Sequence, residues 1–313
     1  MSITTPFINV TNISSIAYFT HRGIVFIVVE SLIFLVLNIA AFVGNLLVCL
    51  AIYRNPSLRT VTNNFILSLA LTDLLMAVVV MPVYTVSSLL DSWIVGDVFT
   101  QIIFCCLIFS GYTSILNVML LAINRYFRVV RPQMFRNIYS KKTSAMMAIV
   151  TWLVTLILVS IYPVIGARYE MSMSNPTIDK LTFSNLFCRI YTSIIASLYL
   201  FIPIFVIVIC YVKIYKTIHH HNTIAAPSTQ EGNSAYGVEE AKITRLLTAV
   251  VAGFCFCWYP SMTSTTLNIF KLLPSSVIKY TVFMRQFPLF TSSVINPMIY
   301  GFLNKSSERN FLK

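Results

Sequence analysis

The chain has 313 residues, of which 57% are hydrophobic and 10% are charged, and its mean hydropathy is +0.80. A soluble domain does not need so apolar a composition to fill its core, so the composition excludes an ordinary soluble protein and indicates one that crosses a lipid membrane several times. The formal net charge is +12. The basic residues are not interleaved with aromatic residues on a polar surface, which argues against nucleic acid as a partner.

Seven apolar stretches follow in chain order, each close to or longer than the roughly 20 residues that a helix needs to cross the hydrocarbon core of a bilayer. They cover about 24–53, 61–90, 98–130, 145–165, 190–215, 243–270 and 277–302. Of the 22 lysines and arginines, fifteen fall on one side of these spans and seven on the other. Because basic residues accumulate on the cytoplasmic side, the amino terminus is predicted to be extracellular.

The predicted fold is an all-α membrane protein, a seven-transmembrane helix bundle with a short C-terminal interfacial helix. Residues 1–23 form an extracellular tail with glycosylation sequons at Asn9 and Asn12. This tail lacks the basic segment and cleavage site of a signal peptide. Residues 24–302 form the transmembrane domain, and residues 303–313 form a cytoplasmic tail that includes the interfacial helix. The expected location is the plasma membrane.

A few ionisable residues lie inside the spans, where they are costly and need a reason. Asp73 lies in the middle of the second span. Two interpretations stay open: a carboxyl group kept protonated by apolar surroundings, or a sodium site completed by oxygens of Ser114, Ser293 and Asn296. We interpret Glu30 as a residue of the outer membrane interface rather than as a ligand.

The third span ends in Asn124-Arg125-Tyr126. An arginine at this point either anchors the helix at the membrane interface or acts as a switch that an acidic partner holds in one state. Internal prolines lie in four of the spans at Pro82, Pro203, Pro260 and Pro297. Each proline removes a backbone hydrogen bond and permits a kink, so these helices can pivot.

Together the motifs resemble the rhodopsin-like (class A) family of G-protein-coupled receptors. The matching segments are Gly44-Asn45, Leu69-Ala70-Leu71-Thr72-Asp73, Asn124-Arg125-Tyr126, Trp152, Pro203 with Tyr211, Phe254 with Cys257-Trp258-Tyr259-Pro260, and Asn296-Pro297-Met298-Ile299-Tyr300. Each segment is short, but their order along nearly the whole chain is specific. The resemblance implies a receptor and not an enzyme, with no cofactor beyond a sodium ion and with a heterotrimeric G protein as its partner.

The resemblance also implies how the receptor switches. Arg125 pairs in the resting state with an acid at the foot of the sixth span, where this chain has Glu240. Asn124 stands where most of the family has aspartate, which removes a local charge partner of Arg125. The other residues implied in activation are Tyr126, Tyr211, Asn296, Pro297 and Tyr300, and those implied in transmission from the ligand are Ile115, Pro203, Phe254, Trp258 and Pro260.

The ligand pocket implied by the resemblance lies above Trp258. Leu107 replaces the aspartate of amine receptors, and Phe290 replaces the lysine that binds retinal, which argues against both ligand types. The pocket candidates are Leu107, Gly111, Tyr112, Tyr199, Trp258, Ser261, Thr265, Gln286 and Phe290. This neutral, aromatic set favours a neutral small molecule of the melatonin or adenosine kind. The basic residues around the mouth (Arg189, Lys271, Lys279 and Arg285) favour a peptide or acidic ligand, unless they are solvated or contact lipid.

The sequence departs from the family in its sulfur chemistry. A disulfide usually joins the outer end of the third span to the outer loop, but Thr100 stands at the expected partner position of Cys188. Three states of Cys188 stay open: a disulfide with Cys105, an intermolecular disulfide and a free thiol.

The rival classes are a seven-helix transporter, which predicts repeated halves with paired charges, and a membrane enzyme, which predicts a polar cluster at one depth. The sequence displays neither pattern.

Overall fold

The computed structural model describes residues 23–172, 175–225, 252–253, 256–258 and 281–311, with side chains except at 171–181, 221–225, 281–282 and 299–311. The helices of this part are α1 (Ile24–Arg54), α2 (Val61–Leu89), α3 (Asp97–Val130), α4 (Pro132–Ile138), α5 (Lys141–Val164), α6 (Leu186–Ala225) and α7 (Thr281–Phe311). Five of them, α1, α2, α3, α5 and α6, are long and apolar enough to cross a membrane. The sixth predicted span lies largely outside the described residues.

Helix α3 is the centre of the described bundle. It packs against α2, α5 and α6, whereas α1 packs against α2 and α7. Of the five apolar spans, α3 is the most buried and α1 and α5 are the least buried. Side chains along the length of α3 therefore reach the interior, where a ligand or a buried ion would be bound.

The helix starts are set by capping residues as well as by hydrophobicity. Thr60 Oγ1 accepts a hydrogen bond from the backbone N–H of Asn63 at 3.2 Å, and α2 begins at the next residue. Ser140 Oγ accepts one from the backbone N–H of Thr143 at 3.0 Å, and α5 begins directly after it. Such caps satisfy backbone donors that the first turn of a helix leaves open. Helix α5 therefore begins four residues before the apolar stretch that predicted it.

Helix α2 is not regular along its length. It is α-helical over Val61–Leu75, π-helical over Met76–Val80 and α-helical again over Met81–Leu89. Pro82 lies just after the π-helical turn, has no backbone N–H and would clash with the carbonyl group of Val78 in a regular helix. The wider turn accommodates the proline without breaking the span.

A two-stranded antiparallel hairpin lies in the segment that the sequence indicated only as a polar outer loop. Strand β1 (Ala167–Ser172) pairs with β2 (Asn175–Phe183), with an irregularity between Met171 and Ser172. Strand β1 contacts α3 and α5, and β2 contacts α7. We call this end of the bundle the hairpin end and the opposite end the Arg125 end.

Helix α7 is continuous from Thr281 to Phe311 and contains Pro288 and Pro297. The predicted interfacial helix of residues 303–313 follows the seventh span, and up to Phe311 the backbone continues as the same helix. That this segment lies along the membrane surface stays a prediction.

Candidate functional site

A buried polar cluster joins α1, α2 and α7 in the middle of the bundle. Asp73 is 3% exposed. Its Oδ1 accepts a hydrogen bond from Ser293 Oγ at 2.8 Å, and its Oδ2 accepts one from Asn296 Nδ2 at 2.8 Å. Asn45 Nδ2 donates to the backbone carbonyl oxygen of Ser293 at 2.9 Å. The structure thus brings together three of the four residues predicted to bind sodium.

Ser114, the fourth of these residues, lies beside the cluster on α3. Its Oγ is 3.1 Å from Oγ1 of Thr72, the residue that precedes Asp73. A carboxylate with hydroxyl oxygens is a donor set that suits a hard cation, and a deeply buried carboxylate requires a cation, a proton or strong donors. The donor set fits sodium, although Asn296 presents its amide nitrogen and not its oxygen to Asp73.

Arg125 lies in the last turns of α3 and is 7% exposed. The preceding Asn124 is fully buried, and its Oδ1 accepts a hydrogen bond from Thr62 Oγ1 at 3.0 Å. Lys213 Nζ lies 5.7 Å from the ring centroid of Tyr126, a cation–π contact between α6 and α3. The end of α3 is therefore held by α2 on one side and by α6 on the other.

The pocket candidates on α3 and α6 pack against each other. The rings of Tyr112 and Tyr199 are stacked with centroids 4.3 Å apart, and Tyr199 Oη lies 3.1 Å from Thr155 Oγ1 on α5. Both tyrosines are buried, as is Leu107. These residues form an aromatic wall where α3, α5 and α6 meet.

Of the pocket candidates on α7, Phe290 faces α1 and α2. Phe290 is fully buried, and its ring packs edge-on against Phe34 and Tyr84, with centroid distances of 5.2 and 6.0 Å. Gln286, one helical turn before Phe290, is 2% exposed. Phe290 therefore closes the α1–α2 side of the bundle, whereas Tyr112 and Tyr199 lie between α3 and α6.

The hairpin is fastened to α3 by a pair of hydrogen bonds that we call the hairpin clamp. Gln101 Nε2 donates to the backbone carbonyl oxygen of Tyr169 at 2.7 Å, and Gln101 Oε1 accepts from the backbone N–H of Tyr169 at 3.0 Å. The Tyr169 ring stacks on Phe104, with centroids 4.7 Å and planes 7° apart. Because Phe104 follows Gln101 by three residues, one face of α3 holds both the backbone and the ring of Tyr169.

The hairpin clamp lies next to Thr100, the position where a disulfide partner of Cys188 would be expected. Thr100, next to Gln101, accepts a hydrogen bond at its Oγ1 from Trp93 Nε1 at 2.7 Å. Cys188 carries a free thiol and is fully buried, and Cys105 is also free. Within the described part of the chain, hydrogen bonds and ring stacking join the third span to the hairpin in place of a disulfide.

Two charged residues of the hairpin end are more buried than the sequence indicated. Glu30 is 2% exposed, and its Oε2 accepts a hydrogen bond from Ser88 Oγ at 2.6 Å. Glu30 lies midway between Phe26 and Phe34, which pack against Phe283 of α7 at centroid distances of 5.9 and 5.7 Å. Residues four apart share one face of a helix, so Glu30 faces the interior too. That Glu30 lies at the depth of the outer membrane interface stays a prediction.

Arg285 does not belong to a solvated rim either. It is 7% exposed, and its Nη2 donates to the Tyr169 hydroxyl at 3.4 Å. The interpretation that it is a solvated residue of the mouth is therefore wrong for Arg285. Arg189, by contrast, is exposed. The guanidinium of Arg285 lies inside the bundle, beneath the hairpin.

Comparison with known proteins agrees with this arrangement. The family described as "7 transmembrane receptor (rhodopsin family)" matches residues 44–300. The chain belongs to this family. The match confirms the prediction of a multi-pass membrane receptor and not an enzyme.

Individual relatives are distant. Melanopsin-B of Xenopus laevis is 28% identical over 277 residues, covering 86% of this chain and 51% of that protein. A QRFP-like peptide receptor of Branchiostoma floridae is 26% identical over 289 residues (89% of this chain, 75% of that protein), and the histamine H2 receptor of Cavia porcellus is 29% identical over 290 residues (90% and 77%). The receptor spans about half the length of melanopsin-B and about three quarters of the other two.

The crystal structure of squid rhodopsin has a TM-score of 0.77 to the receptor at 22% sequence identity, and the likeness covers 93% of this chain and 87% of that chain. At this identity the likeness concerns the fold. It confirms, with the family match, the predicted seven-transmembrane helix bundle.

The structure describes only part of the predicted site. Ile115 is buried in α3, Pro203 lies within α6 and Trp258 is 7% exposed. The residues that lie outside the described residues are Asn9, Asn12, Glu240, Phe254, Pro260, Ser261 and Thr265, and only the backbone of Tyr300 is described. The roles of all these residues in the receptor stay predictions.

Gln101, Tyr84 and Tyr169 were not predicted from the sequence to belong to the site. One signal was present: Gln101 directly follows Thr100, which replaces the usual cysteine, and its amide is able to donate and accept at once. No local pattern connects it to Tyr169, which is 68 residues away.

Gly111 gives a prediction about packing inside the receptor. A Cβ atom at this position would overlap the indole ring of Trp258, so we expect Gly111→Ala to displace that ring and to lower the free energy of unfolding by about 1–3 kcal/mol. Thermal unfolding of the purified receptor measures the loss. Gly253→Ala is the control, because its Cβ would meet Ile295 Cγ2 at an ordinary 3.6 Å; equal unfolding temperatures for the two variants would contradict the expectation.

Proposed function

We propose that the receptor lies in the plasma membrane with its amino terminus outside, binds an extracellular ligand towards its hairpin end and activates a heterotrimeric G protein at its Arg125 end. The observation that supports this best is the burial of Arg125, a residue that is 7% exposed at the end of the central helix. The fifteen-to-seven distribution of lysines and arginines supports the orientation.

The burial of Arg125 suggests how the switch works. A buried charge is stable only when partners compensate it. A movement that separates Arg125 from its partners therefore leaves its guanidinium N–H donors in need of new acceptors. In the proposed resting state Glu240 is such a partner. Since Asn124 is neutral and is bonded to Thr62, it does not balance the charge of Arg125. When α6 and the sixth span move away from α3, backbone carbonyl oxygens of a G-protein helix take the place of Glu240.

For the ligand we propose a small molecule whose body is largely neutral. The described pocket residues Leu107, Tyr112 and Tyr199 are uncharged and buried, and the stacked tyrosines offer an aromatic wall of the kind common in ligand sites. A peptide or acidic ligand is the alternative. The relatives do not select one class, because they include a protein named as a peptide receptor and another named for histamine.

The proposal is tested by second-messenger output without added ligand. Cyclic AMP and calcium are measured in parallel in cells that express the receptor or its Arg125→Ala variant at equal surface level. We expect a basal signal that Arg125→Ala abolishes, because the variant lacks the group proposed to receive the G protein. Glu240→Ala is expected to raise the basal signal, since it removes the resting partner.

The matched control is Arg128→Ala, which removes the same charge from an exposed position one turn further along α3. It is expected to retain the basal signal. If Arg125→Ala and Arg128→Ala signal equally, or if Glu240→Ala signals no more than the unmodified receptor, the proposed switch is wrong.

A further inference from the structure

We propose that the receptor binds the headgroup of an anionic phospholipid at its Arg125 end, on a surface that we call the basic patch. The basic patch consists of Arg131, which directly precedes α4, Arg136 within α4, and Lys141 and Lys142 at the start of α5. The inference goes beyond the proposed function and rests on it only for orientation. If the Arg125 end faces the cytoplasm, the patch lies at the membrane leaflet that carries anionic lipids.

The basic patch carries four positive charges within a short part of the chain. All four side chains are exposed, and within the described part of the chain none of them makes a hydrogen bond or an ion pair. The sequence contains no aspartate or glutamate between Asp97 and Glu170. Like charges that lie close together repel each other, so an anion bound among them is stabilising.

The two lysines of the patch are not explained by the stability of α5. The first turn of a helix presents backbone N–H groups and favours acidic side chains. Helix α5 has no acidic residue in its first turn and begins with Lys141 and Lys142 instead. These cations are therefore placed against the preference of the helix, and a phosphate group beside them would compensate their charge.

Lys142 lies on the side of α5 that faces the membrane lipid. Met146, Ile149 and Leu153 are 58%, 58% and 53% exposed, and they follow Lys142 at the spacing of residues that share one helix face. Exposed apolar side chains of a membrane span contact the acyl chains of lipids. By the helical rise Lys142 lies about 6 Å beyond Met146, where a headgroup follows its acyl chains.

Helix α4 adds a second apolar surface next to the patch. Met134 is 47% exposed and Ile138 is 38% exposed. These residues are four apart and share one side of α4, while the ring of Phe135 stacks on Tyr139 with centroids 5.1 Å apart. Exposed apolar side chains beside basic ones are typical of a helix that lies in the headgroup region of a membrane.

The backbone that carries the patch is held in place by α2 and α3. Tyr139, between α4 and α5, is 8% exposed, and its ring lies 5.9 Å from that of Phe127 on α3. Asn64 Nδ2 of α2 donates a hydrogen bond to the backbone carbonyl oxygen of Lys141 at 2.8 Å. Because this backbone is already ordered, binding a headgroup costs only the ordering of the basic side chains.

The rival explanation is that the basic patch contacts the G protein, which the proposed function places at the same end of the bundle. The position of Lys142 favours a lipid, because its side of α5 continues into apolar side chains that a soluble protein does not reach. The two explanations differ in whether the patch affects lipid binding or signalling.

The experiment counts lipids bound to the purified receptor by native mass spectrometry. The receptor in detergent is titrated separately with phosphatidylcholine, phosphatidylserine and phosphatidylinositol bisphosphate, and the apparent Kd of the first bound lipid is measured. We expect both anionic lipids to bind more tightly than phosphatidylcholine. The double variant Arg136→Gln/Lys142→Gln should raise the Kd of phosphatidylserine by about tenfold or more, since each basic residue near an anionic surface contributes roughly fivefold.

The matched control is Arg54→Gln/Lys216→Gln, which removes the same charge from exposed positions of α1 and α6 at the Arg125 end. It is expected to retain the Kd of the unmodified receptor, and both double variants should unfold at its temperature, since all four substitutions are at the surface. The proposal is overturned if the anionic lipids bind no more tightly than phosphatidylcholine, or if the two double variants lose affinity for phosphatidylserine equally.

The binding measurement depends neither on orientation in a cell nor on G-protein coupling. If Arg136→Gln/Lys142→Gln keeps its affinity for phosphatidylserine but loses the basal signal, the patch contacts the G protein and the lipid site is refuted. If the lipids bind as expected while Arg125→Ala leaves the basal signal unchanged, only the proposed switch is refuted.

Discussion

The Asp73→Asn variant should lose all sodium-specific stabilisation of the receptor. We propose that sodium binds the Asp73 carboxylate together with hydroxyl oxygens of Ser114 and Ser293. The asparagine variant keeps the shape of the side chain but removes the charge that compensates the dehydration of the ion. A ligand present at ten times its dissociation constant contributes about 1.4 kcal/mol to folding stability. The measurement is the difference in unfolding temperature between sodium chloride and choline chloride at equal ionic strength.

The matched control for this prediction is Asp97→Asn, which removes an exposed carboxylate at the start of α3. It should leave the difference between sodium and choline unchanged. If the unmodified receptor unfolds at the same temperature in both salts, Asp73 binds no sodium ion, and the result supports a carboxyl group that its apolar surroundings keep protonated.

The Gln101→Ala variant should destabilise the receptor, and a reducing agent should not. The substitution removes both hydrogen bonds of the hairpin clamp and leaves the N–H and carbonyl groups of Tyr169 without these partners. Two such bonds together contribute about 1–3 kcal/mol. Dithiothreitol should have no effect on thermal unfolding, because Cys188 is already a free thiol. Tryptophan fluorescence during heating measures both effects.

A graded variant separates the two halves of the clamp. Gln101→Glu keeps an acceptor for the Tyr169 N–H but loses the donor to its carbonyl oxygen, so its unfolding temperature should lie between those of the unmodified receptor and Gln101→Ala. Cys188→Ser should behave like the unmodified receptor under reducing conditions. A fall in unfolding temperature with dithiothreitol, abolished in Cys188→Ser, would mean that a disulfide holds the hairpin and that the clamp does not replace it.

The apolar spans were predictable because hydrophobicity is a local property of the chain. The first apolar stretch, 24–53, corresponds to a helix over Ile24–Arg54. The fourth, 145–165, corresponds to a helix that starts at Lys141, because Ser140 caps its first turn and the lysines there face away from the core. Length and composition thus indicate where a helix crosses the membrane, and a capping side chain decides where it begins.

The cluster around Asp73 was predictable for a different reason. An ionisable residue inside a span is costly and needs partners, so Ser114, Ser293 and Asn296 were predicted to supply oxygens near Asp73; Asp73 and Asn296 also belong to motifs of the family. The contacts at the hairpin end could not be predicted in this way. The contact of Gln101 with Tyr169 and the burial of Glu30 and Arg285 depend on pairings between distant segments, and no spacing within the chain encodes them.

The π-helical turn at Met76–Val80 has a consequence for evolutionary comparison. Such a turn holds one residue more than the α-helical turn it replaces, and one residue rotates a helix by about 100°. Tyr84 and Ser88 follow this turn, so the extra residue changes their direction by about 100° relative to a regular helix. In a homologue whose second helix is regular, the residues that align with Tyr84 and Ser88 without a gap therefore face a different neighbour, and their chemistry is not interchangeable position by position with that of this chain.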